Sequence, residues 1–224
     1  GYAAFLAAAP VAPSVQDDLL QAYASSPTAA HKQLRALVSQ GQDVGAIIDQ
    51  LEKSTGDRSF QGLRNQALSQ RNALRLRKKA LDHWERGDRV TARTLLLEAR
   101  DVFLRNGAET EAHFCAYQVG EIYAEEERFP KSLQWIDQTH ERTDTANMPY
   151  LTGLLYESRG YSLWFLDYHQ NSILSFLEAV KRWQQINFAL GITNAWNNLA
   201  TLYEELGMTE RAEQCYQRAI QHRG

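Results

Sequence analysis

The sequence predicts an all-α fold, a right-handed solenoid of helical hairpins, and three observations support this prediction. Small residues recur at a constant spacing of 40 positions in three separate columns. The 224 residues include only 13 glycines and 5 prolines, and β-branched runs are short, which disfavours strands. Hydrophobic residues make up 44% of the chain, enough to bury a core along a stack of hairpins.

The small columns define a repeat in the last two thirds of the sequence. The columns are Ala80, Gly120, Gly160 and Ala200, then Ala92, Ser132, Ser172 and Ala212, and finally Ala99, Thr139, Ala179 and Ala219. Gly, Ala, Ser and Thr occupy about 0.3 of positions, so twelve matches arise by chance about once in a million. The columns therefore predict one structural unit that occurs four times.

Large residues and turn residues recur at the same spacing. The two bulky columns are His83, Tyr123, Leu163 and Tyr203, and Leu96, Ile136, Phe176 and Tyr216, while a turn position holds Gly87, Glu127, Asp167 and Gly207. Small residues let two helix backbones approach closely, and large residues one turn away fill the gaps. Each unit is therefore expected to be a helical hairpin, and hairpins stack because one alone cannot bury its apolar side. First helices are expected to begin about four residues before the first small column, and second helices near Val90, Pro130, Gln170 and Thr209.

This pattern resembles the tetratricopeptide repeat (TPR) over residues 71–224, and the segment NNLATLYEELGMTERAEQCYQRAI fits best. The usual repeat has about 34 residues, so the period of 40 is similar to the longer variety in kinesin light chain, G-protein-signalling modulators and bacterial CHAT-associated arrays. The surplus residues are expected to lengthen the second helix and the inter-unit turn, as in residues 181–191. The resemblance implies a TPR-like superhelix with repeats at about 71–108, 109–148, 149–190 and 191–224.

Residues 1–70 do not follow the period and are predicted to be a helical N-terminal region, either a cap or degenerate repeats. Helices are expected at 15–24, 31–40 and 43–53, and a long helix from Ser59 leads into the first repeat. The preceding apolar tail of Tyr2, Phe5 and Leu6 is expected to be anchored on these helices, or in an aromatic groove of the same or a neighbouring molecule.

The chain ends directly after the second helix of the fourth unit. More repeats or an effector domain are therefore expected to follow, unless the polar face of that helix serves as the cap.

Several functional classes are disfavoured by composition and spacing. Lys and Arg number 24 against 27 Asp and Glu, a net charge of -3 that offers no field for nucleic acid. No apolar run approaches the roughly 20 residues that cross a bilayer. His113 and Cys115 lie on different faces of a helix, Cys215 is remote from both, and phosphate-binding and metal-ligand motifs are missing. We expect no catalytic residue, cofactor or metal, and a cytoplasmic protein that is not an enzyme.

The first helices of stacked hairpins line the concave side, so their free faces are the candidate binding groove. The candidate residues are Arg77, Lys78, Trp84, Tyr117, Gln118, Glu121, Glu157, Tyr161, Trp164, Phe165, Asn194, Asn197, Asn198 and Thr201. Aromatic rings supply large contact areas, and Asn side chains both donate to and accept from a peptide backbone. The alternative is that the aromatic residues fill the core of a tightly wound superhelix, and that the Asn residues belong to the repeat pattern itself.

This region contains one basic and one acidic run of charged residues. The basic run around Arg77 could grip an acidic stretch or a carboxylate, or it is a solvated helix face. The acidic run Glu125, Glu126 and Glu127 is expected to be a solvated helix end.

The sequence therefore predicts a protein–protein interaction scaffold that binds a partner peptide or helix on the concave face of residues 74–205, as part of a larger protein. One alternative is a regulatory or sensor module that gates an effector outside this chain, such as a CHAT-type peptidase. A stand-alone enzyme ranks last, and homo-oligomerisation is left open.

Overall fold

The computed structural model describes residues 13–39 and 42–222, and this part of the chain consists of eleven helices and their turns, without strands. The helices are α1 (Pro13–Ser25), α2 (Pro27–Ser39), α3 (Gly45–Thr55), α4 (Gln61–Glu85), α5 (Arg89–Arg105), α6 (Glu109–Glu125), α7 (Phe129–Arg142), α8 (Pro149–Phe165), α9 (His169–Gln185), α10 (Ala189–Glu205) and α11 (Thr209–Gln221). Consecutive helices pack as hairpins, including α4 with α5, α8 with α9 and α10 with α11. The predicted all-α helical-repeat fold is confirmed. The chain divides into two compact units, residues 1–115 and 116–224.

In the first unit, α1 to α4 enclose a core of their own. Leu34, Ile48, Leu51 and Phe60 are fully buried in it. The sequence predicted these helices, but α2 begins at Pro27 rather than His31, because proline is well tolerated in the first turn of a helix. The predicted tail contacts of Tyr2, Phe5 and Leu6, and the predicted helix end at Gln40, lie outside the described residues.

From α5 onwards the helices begin at regular intervals. Second helices begin at residues 89, 129, 169 and 209, within one residue of the predicted starts. The predicted starts of the first helices were wrong, because α6, α8 and α10 begin at residues 109, 149 and 189, about seven residues earlier than expected. The first helices α6, α8 and α10 have 17 residues each, and so do the second helices α5 and α9, so the surplus residues lie in helices and not in a longer inter-unit turn. In residues 181–191 the turn is confined to residues 186–188, and α10 has already begun at Ala189.

The turn inside each hairpin has the same conformation in all four cases. Gly87 and Gly207 have φ angles of 83° and 71°, and Glu127 and Asp167 follow them with 57° and 62°. This left-handed conformation suits glycine and is unfavourable for residues with a Cβ atom. Two hairpins therefore keep the turn geometry at some cost in backbone strain.

The small and bulky columns pack against each other as the repeat requires. A Cβ atom added to Gly160 would lie 2.9 Å from two ring carbons of Phe176, and one added to Gly120 would lie 2.8 Å from Cδ1 of Ile136. The Ser172 hydroxyl donates to the Gly160 carbonyl over 2.7 Å. Small residues in the first column therefore leave room for the bulky residue of the second helix, and they allow the two helix backbones to approach closely.

The second unit is centred on Trp183, which is fully buried. Cβ atoms added to Gly153 and Gly191 would lie 2.8 Å and 2.7 Å from its ring. Tyr150 and Phe188 meet the same indole edge-on, with ring centroids 5.4 Å and 5.2 Å away. This cluster joins α8, α9 and α10 and fixes the position of the first helices on which the candidate site lies.

Candidate functional site

A cavity of about 450 Å³ lies among the first helices α6, α8 and α10 of the second unit. Its lining residues are Tyr117, Glu121, Ala124 and Glu125 from α6, Leu154, Glu157, Ser158 and Tyr161 from α8, and Asn198 from α10. None of these positions belongs to the small or bulky packing columns. The cavity is therefore formed by helix positions outside the repeat columns, although Leu154 also packs on the core of the second unit.

Two carboxylates face the interior of this cavity. Glu121 accepts hydrogen bonds from the hydroxyls of Ser158 and Tyr117. Asn198 reaches Oε1 of Glu157 with its Nδ2 at 3.4 Å, near the limit of a hydrogen bond. Across the described residues, neither carboxylate forms an ion pair with Lys, Arg or His.

The environment of the two carboxylates favours their neutral forms. Burial raises the pKa of Glu121, and its two hydrogen bonds counteract this only in part. Burial, and then the negative charge of Glu121, raises the pKa of Glu157 to about 7 from an ordinary value of 4.5. Desolvation and like charge both penalise the ionised form. At neutral pH Glu157 is therefore divided between the protonated and ionised forms.

An exposed aromatic cluster, formed by Phe129, Tyr161 and Phe165, adjoins the cavity. Phe129 stacks on Phe165 with centroids 4.7 Å apart and planes inclined by 10°, and Tyr161 lies 4.8 Å from Phe165. Tyr161 and Phe165 are 42% and 52% exposed. Because Tyr161 also lines the cavity, the acidic and aromatic parts form one continuous surface.

Five predicted groove residues meet at the cavity, namely Tyr117, Glu121, Glu157, Tyr161 and Asn198. The predicted residue Phe165 lies beside it in the aromatic cluster.

Trp164 fits the alternative interpretation from the sequence, in which the aromatic residues fill the core. It is half-buried, its Nε1 donates to Glu205 over 2.6 Å, and its ring meets the Phe176 ring edge-on. It is therefore part of the core of the second unit.

The remaining predicted residues of the second unit lie outside the cavity lining. Gln118 is 2% exposed, and Asn194 is exposed near the start of α10. Asn197 is half-buried, and its carbonyl accepts from the Thr201 hydroxyl at 3.1 Å. This bond occupies the Thr201 hydroxyl within its own helix.

Arg77, Lys78 and Trp84 lie on α4, in the first compact unit. Arg77 is only 4% exposed, and its guanidinium lies 5.4 Å from the centre of the Phe114 ring. Lys78 is exposed and Trp84 is half-buried. Of the basic run, only Arg71, Arg75, Lys78 and Lys79 point outward, and Arg71 is paired with Asp43.

Sequence reasoning missed Leu154, Glu125 and Phe129. Leu154 was missed because α8 was expected to begin two residues after it. Glu125 is exposed at the end of α6, as expected for a solvated helix end, but its position four residues after Glu121 also places it on the cavity lining, which was not predicted. Phe129 is the first residue of α7, so the repeat columns gave no signal for it.

A second cavity of about 500 Å³ lies on the side of α9, α10 and α11. Lys181 and Arg218 line it together with Leu174 and Trp196, and the Arg218 guanidinium lies 4.7 Å from the centre of the Trp196 ring. In this cavity the face of the Trp196 ring is already covered by the Arg218 guanidinium.

Cys115 and Cys215 are both buried free thiols. Burial raises the pKa of both, that of Cys115 to about 12, so each stays protonated and is a poor nucleophile at neutral pH. Residues 13–39 and 42–222 contain no cluster of three or more His, Cys, Asp or Glu side chains suited to a metal ion. In the same part of the chain, no helix combines the length and apolar character that a membrane crossing needs.

Comparison with known proteins agrees with this architecture. Residues 193–223 match the family model of the tetratricopeptide repeat. No curated protein matches the sequence. Among solved structures, the crystal structure of BtubC (BKLC) from P. vanneervenii is similar, with a TM-score of 0.62 and 15% identity over 93% of this chain and 86% of that chain. The likeness to that structure shows the fold alone.

The helical hairpins and the structural likeness define an all-α helical-repeat protein, and its residues 193–223 match a tetratricopeptide repeat. Repeats of this class generally mediate protein–protein interaction.

Proposed function

We propose that this chain is a protein–protein interaction scaffold that binds a partner peptide or helix in the groove formed by α6, α8 and α10. The observation that carries the proposal is the cavity among α6, α8 and α10, which is lined by positions outside the repeat packing columns and is continuous with the exposed rings of Tyr161 and Phe165. Aromatic residues supply much of the energy of protein interfaces because they bury large areas with few rotatable bonds.

The solvent-exposed side of the groove favours a polypeptide ligand over a small metabolite. The cavity is open to solvent at Tyr161, which is 42% exposed, and the Tyr161 ring also contacts Phe165 of the aromatic cluster. Small-molecule sites usually bury most of the ligand surface. An extended segment or a helix can instead lie along the groove with one side chain in the cavity.

Further predictions from the sequence, on the repeat period, the domain division and the cellular role, are part of the same proposal. Helix starts at 40-residue intervals from α5 onwards support the longer-period TPR variety. The division into an N-terminal region, 1–70, and four repeats, 71–224, stays a prediction, and α4 runs across its boundary. We propose a non-enzymatic cytoplasmic role within a larger protein, with a protein partner and no nucleic acid. In the alternative function, a regulatory module that gates an effector outside this chain, the partner binds in the same groove. Within the second unit, a contact of the partner with Asn194 on α10 would extend the groove beyond the cavity. Lys78 and Trp84 on α4 stay predictions for the first unit.

Affinity capture with the purified chain tests the proposal. Wild-type chain is expected to retain a specific partner that is lost with the double variant Tyr161→Ala/Phe165→Ala. Leu174→Ala is the matched control, because Leu174 is 58% exposed and lines the other cavity. Circular dichroism must show equal helicity for all three proteins. Equal capture by the wild type and the double variant would refute the groove as the binding surface.

A further inference from the structure

Two half-buried carboxylates of the groove, Glu121 and Glu157, have no ion pair with Lys, Arg or His across the described residues. Glu121 and Glu157 are near enough for the charge of one to raise the pKa of the other. The other titratable groups that act on this pair are Glu125, Tyr117 and Tyr150, and none of them is a cation. The partners from neighbouring helices, Ser158 and Asn198, are neutral hydrogen-bond donors.

An unpaired carboxylate in a desolvated place is costly, and a second one beside it adds repulsion. A cation placed between them removes both penalties and gains charge-assisted hydrogen bonds. Tyr117 and Tyr161 line the same cavity. Aromatic rings can pack on the methylene groups of a long side chain and attract its positive charge. Charge and shape therefore both favour a long cationic side chain.

We propose that this acidic cavity takes a lysine or arginine side chain of the partner segment, and that an apolar side chain next to it lies on the aromatic cluster. This inference rests on the proposed function of the groove and specifies the chemistry of the partner. A neutral or acidic segment would leave Glu121 and Glu157 desolvated and unpaired. The cavity beside α11 does not offer the same chemistry, because Lys181 and Arg218 already occupy its lining.

Binding of such a cation is coupled to proton release. Glu157 is divided between both forms near pH 7, and a bound cation holds it ionised. If only the ionised form binds, its fraction falls from about 0.9 at pH 8 to about 0.1 at pH 6, so the affinity falls about tenfold.

The test uses a phage-displayed library of random dodecapeptides selected on the intact chain. The expected result is enrichment of Lys or Arg adjacent to an aromatic or aliphatic residue. Calorimetry then compares one selected peptide with its Lys→Gln or Arg→Gln counterpart, on wild-type chain, on Glu157→Gln and on Glu213→Gln. Glu213 is exposed on α11 and serves as the charge-matched control. Melting curves establish that both variants fold.

We expect Glu157→Gln to weaken the selected peptide at least tenfold and to abolish the difference between pH 6 and pH 8, while Glu213→Gln changes neither. Selected peptides without a cation that still lose binding with Tyr161→Ala would overturn this inference and leave the groove function standing. Peptides indifferent to Glu157→Gln and Tyr161→Ala alike would overturn both.

Discussion

Replacing Gly160 by alanine tests the close packing on which the repeat depends. A Cβ atom at this position would lie 2.9 Å from the ring of Phe176, which is fully buried and cannot move aside. Overpacking of this kind costs about 1–3 kcal/mol. Helix propensity alone favours alanine over glycine by about 0.8–1 kcal/mol. We therefore expect a net loss of about 1 kcal/mol, against the trend for an exposed helix.

Urea denaturation followed by circular dichroism measures this loss. Gly62→Ala is the control, because Gly62 is helical and a Cβ atom there meets nothing within 4 Å, so this variant should be neutral or slightly more stable. In a Phe176→Leu background the cost of Gly160→Ala should shrink, giving a coupling energy of about 1 kcal/mol or more. Stabilisation by Gly160→Ala, or additivity with Phe176→Leu, would refute the packing argument.

Three further predictions concern the turn, the cavity and the aromatic residues. Asp167→Gly should raise the free energy of unfolding by about 1 kcal/mol, because it relieves a left-handed conformation at an exposed turn; an unchanged melting temperature would contradict this. Glu157 binds its proton more tightly in the folded chain, so its contribution to stability is lost as pH rises from about 4.5 to 7. Glu157→Gln should therefore raise the melting temperature at pH 8 but not at pH 4, and equal shifts at both would argue against the raised pKa. Trp164→Ala should cost about 2 kcal/mol or more, since its ring packs on the core, whereas Tyr161→Ala should melt almost as the wild type does.

The repeat was predictable because close helix contacts demand particular residue sizes. The columns with Gly160 and Phe176 follow from this demand, and so do the second-helix starts. The first-helix starts were not predictable in the same way. Gly191 looks like the end of a turn, but it is a helix-interior glycine that admits Trp183. The turn before it uses Asn187, whose φ is 53°, so no glycine marks it.

The candidate site was predictable only as a helix face. Tyr161 and Trp164 are three residues apart and share that face by helical periodicity. Both rings lie beside Phe165, but the Trp164 ring also reaches Glu205 and Phe176, while Tyr161 remains 42% exposed. Side-chain direction within a face depends on neighbouring helices, which the sequence does not specify.

An NMR titration of the isotope-labelled chain with a selected peptide tests the groove most directly. We expect the largest chemical-shift changes at Glu121, Glu157, Tyr161 and Asn198, on the faces of α6, α8 and α10 that line the cavity. Changes centred instead on Leu174, Lys181 and Gln184, which line the cavity beside α11, would contradict the account.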